Sequence, residues 1–113
     1  MSAYVVVQIG IDDPVPYEEY KALAPASIAA HGGRYLVRGG SSTPLEGDWH
    51  PPRLVILEVP DAVRARAWWS SPEYAPAKAI RQRCARTAML LVDGCSPPGA
   101  DLGGSGAAEM TPG

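Results

Sequence analysis

The sequence predicts an α+β domain in which a four-stranded antiparallel sheet carries helices on one face. Two observations carry this. Four short runs rich in β-branched and other apolar residues, at 4–9, 34–38, 53–59 and 88–92, read as strands. Two longer segments with apolar residues three and four apart lie after the first and third of these runs and read as helices. The order is β-α-β-β-α-β, a ferredoxin-like arrangement. A chain of 113 residues has room for one such domain.

Each element has its own punctuation. Tyr4-Val5-Val6-Val7-Gln8-Ile9 is the first strand, closed by Asp12-Asp13-Pro14. An aspartate there caps the following helix, and Pro14 and Pro16 are tolerated in its first turn. That helix spans about 15–31, with Tyr17, Tyr20 and Ala24 on one face, and Pro25 is expected to split it in two. Gly32-Gly33 stops it. The second strand, 34–38, and the third, 53–59, flank a loop at 39–52 that is longer than a hairpin needs, a property of functional loops. Asp61 caps a second helix through Trp69. Ser70-Ser71-Pro72 interrupts it, and helix resumes over 73–86 with Ala77, Ile80 and Cys84 on one face. Residues 88–92 form the last strand. The domain is thus assigned to 1–95, and the Gly/Pro-rich remainder, 96–113, to a flexible tail.

The strands are apolar at nearly every position, which predicts burial of both sheet faces. The helices cover one face, so the expected cover for the other is the sheet of a second copy. A homodimer through the sheet faces follows.

Composition excludes several roles. A net charge of −2 provides no basic footprint for nucleic acid. No apolar run approaches the length needed to span a bilayer, and residues 4–9 are too short for a signal-peptide core, so the expected location is cytoplasmic. Cys84 and Cys95 have no metal-ligand spacing, and Cys84 reads as a buried small hydrophobe. No nucleophile elbow, P-loop, dinucleotide fingerprint or zinc motif is present, and no cofactor or metal is expected.

Several phrases recur in a known order: Gly33-Arg34-Tyr35-Leu36-Val37-Arg38-Gly39-Gly40, Leu45-Glu46-Gly47-Asp48-Trp49, and Trp68-Trp69-Ser70-Ser71-Pro72-Glu73-Tyr74. In this the sequence resembles the DUF1330 family of small α+β proteins, over nearly everything from Tyr4 to Gly94. The resemblance implies a dimeric α/β barrel, a group that includes small monooxygenases, muconolactone-type isomerases and polyketide cyclases working between sheet and helices.

Polar residues placed where that cleft should lie form the candidate site. Arg38 ends the second strand beside Gly39-Gly40 and would clamp a carboxylate or enolate oxygen, or else pair with Glu46 or Asp48. Glu46 and Asp48, near Trp49, are candidates for acid–base work, or simply form a turn anchored by the indole. His31 offers a proton-transfer group at a helix C-terminus, where a capping role also fits. Tyr17, Trp49, Trp68 and Tyr74 read as pocket walls, with core, or for Trp49 the loop anchor, as the alternative. Gln8 lines the same cleft if it points to the helices, and an interface if it points away. Arg34 and Glu58 fall opposite each other if their strands pair, and read as a cross-strand salt bridge.

The functional expectation is a cofactor-independent enzyme performing acid–base chemistry on a small organic ligand. Isomerisation, cyclisation, lactone chemistry and dehydration all suit these groups, as in bacterial secondary metabolism. The alternative is a non-catalytic metabolite-binding or stress-related dimeric module.

Overall fold

A computed structural model describes residues 1–95. The elements are β1 (Ala3–Ile11), α1 (Pro14–Ala30), β2 (Arg34–Arg38), β3 (Leu54–Val59), α2 (Ala62–Trp69), α3 (Ala75–Cys84) and β4 (Ala85–Asp93). The four strands form one antiparallel sheet in the order β2-β3-β1-β4. This is the α+β, ferredoxin-like arrangement that the sequence predicts. The tail assigned to 96–113 lies outside the described residues.

The expected caps are in place. Asp13 accepts a hydrogen bond from the Val15 amide at 3.3 Å, and Asp61 accepts one from Arg64 at 2.8 Å. Gly32, at φ 76°, ends α1 in the left-handed region that favours glycine. Its amide donates to Ala29, and that of Gly33 to Ile28. The break between α2 and α3 is built by Ser71, whose hydroxyl donates to the Trp68 carbonyl at 2.8 Å and accepts from the Tyr74 amide at 3.1 Å.

Two expectations require correction. Pro25 does not split α1, which runs unbroken from Pro14 to Ala30. Proline at that position removes the amide that would bond the Lys21 carbonyl, and Arg38 supplies the missing donor from β2 at 2.8 Å. Burial of Ala24, Ser27 and Ile28 on either side of Pro25 holds the rest of the turn. The last strand begins at Ala85, not 88, because β1 extends to Ile11 and pairs with it residue for residue. Within one chain the two sheet faces are not equally buried. Along β1 and β3 burial alternates, with Val5, Val7, Ile9, Val55, Leu57 and Val59 turned towards the helices. Val6, Leu54, Ile56, Leu90 and Val92 occupy the opposite face, where Leu90 is 63% exposed.

The core lies between the inner face of the sheet and the helices. Tyr17, Ala24 and Ile28 of α1, Ala65 and Trp68 of α2, and Ala77, Ile80 and Cys84 of α3 close over it. Cys84 is buried among these, as its reading as a small hydrophobe requires.

Candidate functional site

The site is set by an irregularity in β2. Arg34 pairs with Glu58 and Tyr35 with Leu57, but the register shifts before Val37, which pairs with Ile56, and Arg38 then faces Val55. Leu36 is the extra residue of this bulge, and it changes which face the following side chains occupy. In a regular strand Arg34 and Arg38 would share a face. Here Arg34 lies on the outer face, bonded to Glu58 at 2.8 and 2.9 Å, as expected of a cross-strand pair. Arg38 is brought round to the helical side with Tyr35, its guanidinium carbon 4.6 Å from the centre of that ring. The hydrogen bonds from Arg34, and then from Ser2, hold the Glu58 carboxyl below the usual carboxylate range.

Arg53, just before β3, takes the same side. Its Nε donates to the Tyr17 hydroxyl at 3.1 Å, and the guanidinium lies against the backbone of Gly39, where a Cβ would collide with it. Glycine is therefore required at Gly39 on two grounds, this contact and its φ of 74°. Lys21, from α1, completes a basic mouth with Arg38 and Arg53 and is itself bonded to Glu18 at 3.0 Å. This mouth is an open cleft of about 460 Å³.

Beneath it is a smaller cavity between sheet and helices, of about 20 Å³, walled by Tyr17, Tyr20, Tyr35, Trp68 and Met89 among others. That is room for one water or one oxygen atom, not for a ring. Lys21, Arg38 and Arg53 border both spaces, so the cavity and the mouth adjoin. Burial pushes the phenols of Tyr17, Tyr20 and Tyr35 above their ordinary values, so all three carry their protons at neutral pH.

The remaining expected residues are distributed unevenly around this space. Trp68 and Tyr74 are buried with rings 4.2 Å apart, and the Trp68 indole donates to Ser27 Oγ at 3.1 Å. Trp68 borders the cavity, whereas Tyr74 stands behind it, bonded to the Tyr20 hydroxyl at 3.0 Å. Gln8 points away from the helices, where its side-chain oxygen accepts from the Trp49 indole at 2.6 Å. Trp49 therefore anchors the 39–52 loop to the outer sheet face, and the two residues meet there and not in the cavity. Glu46 and Asp48 are exposed on that loop, and neither pairs with Arg38 among the described residues. His31 caps α1, its Nδ1–H donating to the Ser27 carbonyl at 3.0 Å, with Nε2 3.9 Å from Glu73. Among the described residues no cluster of three or more His, Cys, Asp or Glu side chains is arranged to hold a metal ion.

Sequence reasoning missed Arg53, Tyr35 and Arg81 as members of this region. Arg53 looks like an ordinary strand edge, and Tyr35 an ordinary strand residue. Arg81 is 4% exposed yet faces no carboxylate within salt-bridge distance among the described residues; its Nε donates to the Tyr74 hydroxyl at 3.2 Å. Its place four residues after Ala77 and three before Cys84, both on the buried face of α3, is the signal for it.

The sequence pattern that defines DUF1330, a domain of unknown function, matches residues 2–95. The chain belongs to the DUF1330 family. Among solved structures, this DUF1330 chain is similar to the RPA0582 protein of unknown function from Rhodopseudomonas palustris. The two are 17% identical with a TM-score of 0.68, over 85% of this chain and 84% of that one. It is similar to a dimeric ferredoxin-like protein of unknown function from Jannaschia sp. CCS1, at 12% identity and a TM-score of 0.63, over 82% and 99% of the two chains. A third similar structure is SnoaB, a cofactor-independent oxygenase from Streptomyces nogalater, at 14% identity and a TM-score of 0.55, over 87% and 97%. At these identities the likeness establishes the fold. No curated protein matches the DUF1330 chain. No helix among its described residues is long and apolar enough to cross a membrane.

Proposed function

We propose that this DUF1330 protein is a cofactor-independent enzyme that performs acid–base chemistry on a small organic anion in the cleft between sheet and helices. The observation that carries the reading is the basic mouth of Arg38, Arg53 and Lys21 above a cavity walled by protonated tyrosines. Guanidinium groups at an entrance attract and orient a carboxylate, and a small aromatic chamber behind them excludes water from the reacting atoms. The resemblance in fold to a cofactor-independent oxygenase is consistent with this. Isomerisation, cyclisation, lactone opening and dehydration are the reactions these groups suit.

In this reading Arg38 and Arg53 bind the anion, and Tyr17 and Trp68 form the walls. Glu46 or Asp48 handles the proton once the 39–52 loop gives up the Trp49–Gln8 bond on the outer face and swings across to the mouth, with His31 in reserve. Gly39 and Gly47, both at positive φ, are the loop positions where the backbone can turn. The active form is a homodimer with sheets face to face, which covers Val6, Ile56, Leu90 and Val92. The dimeric ferredoxin-like neighbour supports a dimer.

A second reading, a metabolite-binding module without catalysis, is favoured by one observation: no carboxylate borders the inner cavity. Incubating the protein with a panel of unsaturated carboxylic acids and lactones, and following products by NMR, separates the two. Turnover that falls at least about tenfold in Arg53→Ala supports the enzyme. Saturable binding with no product from any member of the panel supports the module.

A further inference from the structure

Arg53 fixes the hydroxyl of Tyr17, which borders the cavity, and Arg81 fixes that of Tyr74, which stands behind it against Tyr20. The arrangement leaves Tyr17 and Tyr20 each with a proton to give. Arginine is donor-only, so Tyr17, in receiving Arg53 Nε at 3.1 Å, uses an oxygen lone pair and keeps its own proton unassigned. Tyr74 likewise receives Arg81 Nε at 3.2 Å. Tyr74 is fully buried, and the only acceptor within reach of its proton among the described residues is the Tyr20 oxygen, 3.0 Å away. Leaving a buried hydroxyl proton unpaired is costly, so Tyr74 donates to Tyr20. The Tyr20 proton is then released in its turn. Neither the Tyr17 nor the Tyr20 proton has a protein acceptor among the described residues, and both side chains border the 20 Å³ cavity.

The spacing that places them together is simple. Tyr17 and Tyr20 are three apart on α1, hence on one face of the helix, with ring centres 5.4 Å apart. The cavity they border holds one oxygen atom and little more.

We infer that Tyr17 and Tyr20 form an oxyanion hole: two phenolic donors, Tyr17 backed by Arg53 and Tyr20 by Arg81 only through Tyr74, that together hold a single negatively charged oxygen of the ligand, of the enolate or phenolate class. The rest of the ligand lies outward, towards Tyr35 and the basic mouth. The inference rests on the proposed ligand cleft and assigns the chemistry at its inner end. Preorganised donors in a cavity too small for bulk water stabilise such an oxygen far more than they would in solution. Tyr74 and Arg81 are positioning residues, since they touch Tyr20 or its partner and not the ligand.

The test uses two probes of nearly equal shape, 4-nitrophenolate and the neutral 4-fluoronitrobenzene, bound to the full chain. The wild type is expected to bind the phenolate about tenfold tighter than the fluoro compound, in keeping with charged hydrogen bonds. It should also lower the ionisation pH of bound 4-nitrophenol by about one unit relative to the free compound. Tyr17→Phe and Tyr20→Phe should each reduce the ratio of the two affinities several-fold. Tyr74→Phe, which unties Tyr20 from Arg81, should give a smaller loss. If the wild type binds the fluoro compound but does not prefer the phenolate, or if both single variants fold and keep the preference, the oxyanion hole is wrong while the cleft stands. If the wild type binds neither probe, the cleft reading fails and this inference fails with it. Should the variants not fold, the ionisation of the bound probe on the wild type decides: an unshifted or raised value overturns the assignment.

Discussion

Arg38 and Pro25 are partners through a backbone atom: Arg38 Nη2 donates at 2.8 Å to the Lys21 carbonyl, the acceptor that Pro25 leaves without its helical amide. A proline inside a helix normally costs about 3 kcal/mol or more, in part through this lost bond. Here the strand beside the helix supplies the donor. The bond also aims the guanidinium across the mouth of the cavity, beside Tyr35. One residue thus repairs α1 and equips the site.

The pairing makes a prediction about stability. Arg38→Ala should cost about 0.5–1.5 kcal/mol, the usual worth of one hydrogen bond, and the low end applies because Arg38 is exposed. In a Pro25→Ala background the new amide satisfies Lys21, and the same substitution should cost clearly less. Urea unfolding of the four proteins measures the coupling. Equal costs in both backgrounds would show that Arg38 does not serve the carbonyl.

The outer sheet face makes a second prediction. Leu90 is 63% exposed in the single chain, so Leu90→Glu should barely alter the stability of a monomer. In a sheet-to-sheet homodimer it buries a charge and should drive dissociation, seen as a halved mass in sedimentation. Val7 and Leu57 face the helices instead, and a charge at either should unfold the protein in any oligomeric state.

Glu58 makes a third. Its folded-state carboxyl titrates below the ordinary value of 4.5, chiefly through its hydrogen bond from Arg34. A carboxyl depressed by folding stabilises the fold above its unfolded value, and that contribution disappears as pH falls through the folded one. An NMR titration should therefore place the Glu58 midpoint below 4.5, and Arg34→Gln should move it upward.

Much of this fold is legible in the sequence because its signals are local. Asp13, Asp61 and Gly32 act within one turn of where they stand, and Arg34 and Glu58 need only the pairing of two adjacent strands. The site is less legible because it depends on contacts distant in sequence. Nothing in the local pattern announces the bulge at Leu36, yet that extra residue decides that Arg38 faces the helices and Arg34 does not. Pro25 reads as a break unless Arg38 is known to reach it. Trp49 reads as a pocket wall, but its indole meets Gln8 on the opposite face of the sheet. Arg81 carries a charge that sequence reasoning places in solvent, whereas α3 turns it inward onto Tyr74.

The most direct test of the central claim is to locate a small aromatic anion on the folded protein. Adding benzoate to isotope-labelled protein should perturb, saturably, the NMR signals of Tyr17, Lys21, Tyr35, Arg38 and Arg53, which border the mouth and the cavity. Arg53→Ala should abolish the effect. Saturable perturbation centred instead on Gln8, Trp49 and Leu90, with the tyrosines of the cleft unmoved, would place the binding surface on the outer face of the sheet and contradict the account.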